Sequence, residues 1–119
     1  MYARGDLYAR GSRRGHMTIE RGCDLCQAAR ITRWYSEDEI CWVADCEICE
    51  VPMVVWRRHG IDPSAAELEH MTAALGRAAA EHFATWVVDG LRRNIPDHWH
   101  AHARPSGKAA LAWWTRRWR

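Results

Sequence analysis

The sequence predicts an α+β domain with an antiparallel sheet and one main helix between two pairs of strands. Three observations support this prediction. Two short apolar runs lie close together, a segment of helical period with a helix-start signal follows them, and three histidines alternate with other residues near the end. Two strands, a helix and two more strands are typical of an α+β unit.

The length of the chain allows one domain. Its 119 residues can form one hydrophobic core but not two. The start is rich in arginine, glycine and serine and has no hydrophobic period, so residues 1–21 are expected to be a disordered arm, with Met17 as an alternative start. We expect the domain itself over residues 22–105 and a tail rich in tryptophan and arginine over residues 106–119.

Charge and cysteine content indicate partners and compartment. The formal net charge is +2, and Lys108 is the one lysine among many arginines, which favours anionic partners without requiring nucleic acid. No apolar run approaches membrane-spanning length and no signal peptide is visible, so we expect a cytoplasmic protein without membrane contact. In a reducing compartment, five cysteines are better interpreted as metal ligands or free thiols than as disulfides.

The first two predicted strands form a hairpin. Residues Glu39–Asp45 and Val51–Trp56 are rich in β-branched and aromatic side chains and predict buried strands. Pro52 indicates an edge strand or the start of a strand, where a missing amide donor is tolerated. The pair Cys46-Glu47-Ile48-Cys49 lies at the predicted turn, and Cys41 is interpreted as buried packing.

The helix is predicted over Ser64–Phe83. Ser64 and Glu67 have the spacing of a capping box, in which each side chain accepts a bond from the backbone of the other residue. Apolar residues follow at intervals of three and four: Leu68, Met71, Leu75, Ala78 and Ala79. His70 and His82 are expected at the surface without a role. A short strand over Trp86–Asp89 comes next.

Three histidines at two-residue intervals predict the last strand. Side chains alternate between the faces of a strand, so His98, His100 and His102 are expected on one face, with Trp99, Ala101 and Ala103 on the other. Three interpretations are open: a solvated polar face, a face on which all three histidines bind a metal as in a metallohydrolase, and a nucleophilic face.

Two Cys-x-x-Cys pairs suggest a zinc site. Nineteen residues separate Cys26 from Cys46, a spacing typical of zinc ribbons, so Cys23, Cys26, Cys46 and Cys49 form one candidate ligand set. That set predicts a nucleic-acid or protein binding module without catalysis. The tail, with Trp113 and Trp114 among arginines, would then stack on bases, or it docks on this chain or a second subunit, which we favour.

The segment His98-Trp99-His100-Ala101-His102-Ala103-Arg104 resembles the signature of the histidine triad (HIT) family, His-x-His-x-His followed by two residues that are usually apolar. Arg104 departs from this pattern. The resemblance covers about Cys23 to Pro105 and implies a HIT-like fold. It also implies a structural zinc, held in many bacterial members by residues that correspond to Cys23, Cys26, His59 and His98. This mixed set and the four-cysteine set both remain open.

The resemblance implies a nucleotide hydrolase or transferase, and a homodimer. His100 would attack the α-phosphorus of a nucleotide or dinucleotide polyphosphate, and His102 would bind the phosphate or protonate the leaving group. His98 would orient the site or hold zinc. Arg92, Arg93 and Arg104 are candidates for the phosphates, and Trp42 and Trp34 for the base.

Two segments depart from the family pattern. Before the triad, members usually carry an asparagine, a glycine and a Gly-Gln-Ser stretch. Here that segment reads Asp89-Gly90-Leu91-Arg92-Arg93-Asn94-Ile95-Pro96-Asp97, with Asn94 too close to His98 to match. The loop after the first predicted strand is shortened to residues 46–49. Substrate recognition is therefore expected to differ from that of common members.

Overall fold

An antiparallel sheet of five strands forms the centre of the structure. The computed structural model describes residues 22–92 and 95–117, and within them the strands lie in the order β1-β2-β3-β5-β4. The strands are β1 Trp34–Glu37, β2 Cys41–Asp45, β3 Pro52–Trp56, β4 Trp86–Asp89 and β5 His100–Pro105. The helices are α1 Asp24–Gln27, α2 Ala65–Ala79 and α3 Gly107–Arg117. The predicted α+β class with an antiparallel sheet is confirmed.

The predicted hairpin is confirmed, with β2 paired antiparallel to β3. Its turn is closed by two backbone bonds, from Cys46 N–H to the Val51 carbonyl at 2.8 Å and from Glu50 N–H to the Cys46 carbonyl at 2.9 Å. Pro52 is the first residue of β3, which confirms the predicted alternative that it starts a strand. The edge alternative is wrong, because β3 lies between β2 and β5.

The capping box at the start of α2 is also confirmed. Ser64 Oγ accepts from Glu67 N–H at 3.1 Å, and the Glu67 carboxylate accepts from Ser64 N–H at 2.8 Å. The helix ends at Ala79 rather than at the predicted Phe83, because the chain tightens into turns from Ala80 onward. His70 and His82 are partly or fully exposed, as expected.

Pleating gives the sheet two different faces. One face packs on Met71 and Leu75 of α2, and its strand residues are Cys41, Val43, Val54, Trp56, Ala101 and Ala103. Trp99 packs against the same core. The opposite face carries Trp42, Ala44, Met53 and Val55, against which Cys23, Leu25 and Cys26 pack. In the sheet register His100 is opposite Val55 and His102 is opposite Met53, so both histidines lie on this second face.

The first histidine lies outside the strand. β5 begins at His100, and His98 lies in the bend before it, where the prediction had extended the strand. The alternation predicted for His100 and His102 against Ala101 and Ala103 is confirmed. Backbone bonds from Trp99 N–H to the Gly60 carbonyl and from Trp56 N–H to the Trp99 carbonyl fasten this bend to the segment after β3.

The structure describes most of the predicted C-terminal tail but not the predicted N-terminal arm. The arm predicted over residues 1–21 lies outside the described residues. The tail forms α3, whose Trp113 is partly buried against the core that contains α2. Docking of the tail on its own chain therefore accounts for Trp113. None of the described helices combines the length and the apolar character needed to cross a lipid bilayer.

Candidate functional site

Four of the predicted metal ligands converge at one end of the sheet. The ligand atoms of Cys23, Cys26, His59 and His98 all lie within 4.8 Å of one another. His98 Nδ1 is 3.4 Å from Cys23 Sγ and 3.5 Å from Cys26 Sγ, and His59 Nδ1 is 3.3 Å from Cys26 Sγ. Bonds of ordinary length to a tetrahedral zinc ion place sulfur and nitrogen ligands about 3.5 Å apart. These side chains are therefore compatible with a metal ion.

Three separate segments supply these ligands. Cys23 precedes α1 and Cys26 lies inside it, and both are nearly inaccessible to solvent. His59 follows β3, and His98 precedes β5. Ala28, with φ of 50°, ends α1 in the left-handed region. A metal ion here would cross-link α1 to both neighbouring bends of the sheet.

Hydrogen bonds orient both imidazoles toward the sulfurs. His98 Nε2 is 2.6 Å from the Trp56 carbonyl, and His59 Nε2 is 3.2 Å from Asp97 Oδ2. A carbonyl and a carboxylate accept, so both Nε2 atoms donate and each Nδ1 presents a lone pair to the cysteines. Histidine ligands of metals commonly have such outer partners. Burial lowers the pKa of His98, and the nearby His59 lowers it further, whereas the bond to the Trp56 carbonyl raises it. The net effect is a lowered pKa, so the ring is neutral at neutral pH.

The second face of the sheet also contains a cleft of about 530 Å³, within the size range of small-molecule sites. Its lining includes four of the predicted site residues, Trp42, His100, His102 and Arg104. The rings of His100 and His102 meet edge to face, with centroids 5.6 Å apart. The structure thus brings the second and third triad histidines into one cavity and places the first among the cysteines.

A backbone contact fixes the protonation pattern of His100. Its Nδ1 lies 2.8 Å from the carbonyl oxygen of His98. Because a carbonyl only accepts, Nδ1 carries the proton, and in the neutral ring Nε2 holds the lone pair. Burial lowers the pKa of His100, the bond to His98 opposes this, and the positive charge of Arg92 lowers it further. His100 is therefore a neutral imidazole in the wall of the cleft.

The predicted phosphate and base residues have other contacts as well. Arg104 Nε donates to Asp89 Oδ2 at 2.8 Å, and its Nη2 lies 3.8 Å from Cys49 Sγ. Trp42 stacks on Trp34, with ring centroids 4.7 Å apart and planes 8° from parallel. Arg92 donates to the Pro96 carbonyl. Arg93 lies outside the described residues.

The second cysteine pair forms a separate group with His102. The ligand atoms of Cys46, Cys49 and His102 lie within 4.8 Å of one another, and the two Sγ atoms are 3.3 Å apart. Neither the four-cysteine ribbon set nor a set of all three histidines is assembled among the described residues. Sequence reasoning missed the link to His102, because 52 residues separate Cys49 from His102 and only the sheet register brings them together.

A third group, Asp38, Cys41 and His70, has a structural explanation. Asp38 Oδ1 accepts from the backbone N–H groups of Ile40 and Cys41, and Asp38 Oδ2 pairs with His70 Nε2 at 2.6 Å. Burial, together with the Asp38 charge, raises the pKa of Cys41 to about 12, so this thiol stays protonated in the core. The prediction that Cys41 is a packing residue is confirmed.

Comparison with known proteins gives no match: no protein-family model, no curated protein and no solved structure resembles the chain closely enough to be assigned. The resemblance to the histidine triad family is therefore limited to the motif residues.

Proposed function

We propose that the chain is a HIT-like nucleotide hydrolase or transferase that acts through a nucleotidyl intermediate on His100. The observation that carries this proposal is the neutral imidazole of His100 in the cleft wall, with Nδ1 tied to the His98 carbonyl. This bond leaves Nε2 as the nucleophilic nitrogen. An imidazole is a suitable nucleophile because it attacks when neutral and leaves readily once it has been attached to phosphorus.

The proposed reaction has two displacements. The Nε2 lone pair of His100 forms a bond to the α-phosphorus, and the bond from phosphorus to the leaving group breaks, so the leaving group departs with that electron pair. His102, in ring contact with His100, supplies a proton to the leaving group. Water, or another acceptor, then attacks phosphorus and gives its proton to His102, while the phosphorus–nitrogen bond breaks and returns its electron pair to His100 Nε2. The nucleoside monophosphate, or its ester, is released.

His98 has a different part in this proposal. Both ring nitrogens of His98 already have partners: Nε2 contacts the Trp56 carbonyl and Nδ1 contacts the cysteine sulfurs. The ring therefore does not exchange protons with substrate. Its contribution to the reaction is the carbonyl that orients His100. His98 thus acts as a positioning residue.

We assign a structural zinc to Cys23, Cys26, His59 and His98. Two thiolates and two imidazoles suit zinc, and four protein ligands complete its tetrahedral shell. Such an ion supplies cross-linking rather than catalysis. It would hold His98, and hence the carbonyl on which His100 depends. The homodimer implied by the resemblance stays a prediction.

The cleft is lined by both apolar and charged side chains, a combination that suits a nucleotide. The indole of Trp42 and the side chains of Met53 and Ile95 offer an apolar wall for a base, and Arg104 offers a cation for phosphate. Arg104 is held by Asp89 on β4, so its guanidinium is already oriented. This lining takes the place of the Gly-Gln-Ser donors that the segment before the triad lacks.

The test measures release of nucleoside monophosphate from a nucleoside phosphoramidate and from a dinucleotide polyphosphate. His100→Ala is expected to lower turnover by on the order of a thousandfold or more, because the covalent route is lost. His82→Gln is the matched control, since His82 lies on the α2 side of the sheet and contacts Tyr35. Zinc content should be the same in all three proteins. Equal turnover by His100→Ala, or no turnover by the parent protein on either substrate, would contradict the proposal.

A further inference from the structure

The cleft wall contains a pair of cysteines, Cys46 and Cys49, that the proposed reaction does not use. Cys46 directly follows the hairpin strand β2, Cys49 lies in the turn, and His102 projects from β5. Their ligand atoms lie within 4.8 Å of one another, and all three residues line the cleft. We infer that Cys46, Cys49 and His102 form a second metal site, for a divalent ion of the zinc type, that opens onto the cleft.

The hairpin turn holds the two sulfurs in a ligand arrangement. The Cys46 and Cys49 sulfurs are 3.3 Å apart, and the backbone N–H of Cys49 points at Cys46 Sγ from 3.5 Å. Glu50, with φ of 65°, lets the turn close back onto Val51. A backbone donor directed at a cysteine sulfur is an outer contact of the kind that orients metal ligands.

Arg104 provides a second donor to the sulfur pair. Its Nη2 lies 3.8 Å from Cys49 Sγ, while its Nε is bound to Asp89. Outer-shell donors of this kind orient ligands and tune a metal site. A divalent ion would balance the charge of two thiolates, and Asp89 would balance Arg104. The group is therefore close to neutral when it is occupied, which removes the cost of burying two thiolates alone.

The number of ligands separates this site from the first. Cys23, Cys26, His59 and His98 provide four ligands, a complete tetrahedral shell. Cys46, Cys49 and His102 provide three, and the cleft adjoins them, so a fourth coordination position is available to water or to an anionic ligand. Thiolate and imidazole ligands favour zinc and similar ions over magnesium or calcium, which prefer oxygen.

Occupation of this site has a consequence for the cleft, and this consequence rests on the proposed function. A His102 that binds a metal does not deliver a proton to a leaving group. Metal at the second site is therefore expected to slow nucleotide turnover by on the order of a hundredfold, the size of a lost general acid. The ion would act as an inhibitor, and the extent of inhibition would depend on the concentration of available metal.

Cobalt(II) titration of the reduced, metal-free full chain tests the inference, because cobalt bound to thiolates has characteristic absorption. The parent protein should bind two equivalents per chain. The double variant Cys46→Ser/Cys49→Ser should bind one, and His102→Gln should lose or weaken the same equivalent. His82→Gln should bind two. The equivalent that remains in the double variant, at the Cys23 site, shows that the variant is folded.

The second site would be overturned by one equivalent in the parent protein, or by two in the double variant. A Cys46–Cys49 disulfide whose reduction adds no second equivalent would also overturn it and would indicate a redox pair. The metal count does not depend on turnover. A parent protein that binds two equivalents but cleaves no nucleotide therefore contradicts the proposed function alone, whereas turnover insensitive to the second equivalent contradicts the inhibitory consequence.

Discussion

The three histidines of one short motif have three different environments. His98 is enclosed with two cysteines, His100 is tied to a backbone carbonyl, and His102 lies beside the second cysteine pair. Strand alternation in the sequence predicted that His100 and His102 share a face, and this is confirmed. The family resemblance grouped His98 with Cys23, Cys26 and His59. The contact of His102 with the second cysteine pair could not be predicted, because those cysteines are remote from it in sequence.

Asp97 is expected to strengthen metal binding without touching the ion. Its carboxylate accepts from His59 Nε2 and so fixes the tautomer that offers Nδ1 to the metal. Asp97→Ala should weaken zinc affinity by about tenfold or more, the usual effect of losing such a partner. Competition with a chromophoric chelator measures this affinity. The measurement uses the Cys46→Ser/Cys49→Ser background, so that only the first site binds zinc. Asp62→Ala, an exposed loop carboxylate, is the control and should leave the affinity unchanged; equal affinities for both variants would refute the role.

Local sequence signals predicted the hairpin and α2 well. The hairpin has two apolar runs and a short turn, and α2 has a capping box and a helical stripe, so each is specified by neighbouring residues. β1 has no counterpart among the predicted strands, because it is four residues long and a register shift between Trp34 and Ser36 interrupts its regular pairing. The helix α3 was not predicted, because the tail was interpreted from its tryptophan and arginine rather than from its alanine and leucine, which favour a helix.

The start of α2 gives a pH-dependent prediction. The bond from Ser64 N–H lowers the pKa of Glu67, burial opposes this, and the Trp56 indole contributes to lowering it. A carboxyl group whose pKa is lower in the folded than in the unfolded state stabilises the fold at pH values above its unfolded pKa. This stabilisation is lost as the pH falls through the folded pKa.

Glu67→Gln tests this at the same helix start. The difference in unfolding free energy between the parent and this variant should be largest near neutral pH. It should shrink as pH falls below the usual glutamate range, because protonated glutamate resembles glutamine. Urea unfolding across that range measures the difference, and metal loss at low pH affects both proteins alike. Glu69→Gln, an exposed residue on the same helix, should show no such trend, and a constant difference for Glu67→Gln would contradict the argument.

At the scale of the whole molecule, the two faces of the sheet are stabilised differently. The α2 face has a hydrophobic core that includes Met71, Leu75 and Phe83. The other face depends on α1, a helix of four residues with two buried side chains, Leu25 and Cys26. The sequence could supply the candidate ligands but not decide which segments meet. The structure groups Cys23 and Cys26 with His59 and His98 because the bends after β3 and before β5 are neighbours across the sheet.

Metal removal should therefore loosen one face and spare the other. A helix of four residues is unstable alone, so without the ion we expect residues 22–32 to open locally, while α2 keeps its own core. Hydrogen exchange before and after treatment with a strong chelator, under reducing conditions, measures this by segment. Amides of residues 22–32 and of Trp99 should exchange faster, and those of Met71 to Ala79 should keep their protection. Because the Cys46→Ser/Cys49→Ser variant retains the first site, it should give the same pattern. Loss of protection in α2 together with residues 22–32 would mean that the ion supports the entire fold rather than one face of the sheet.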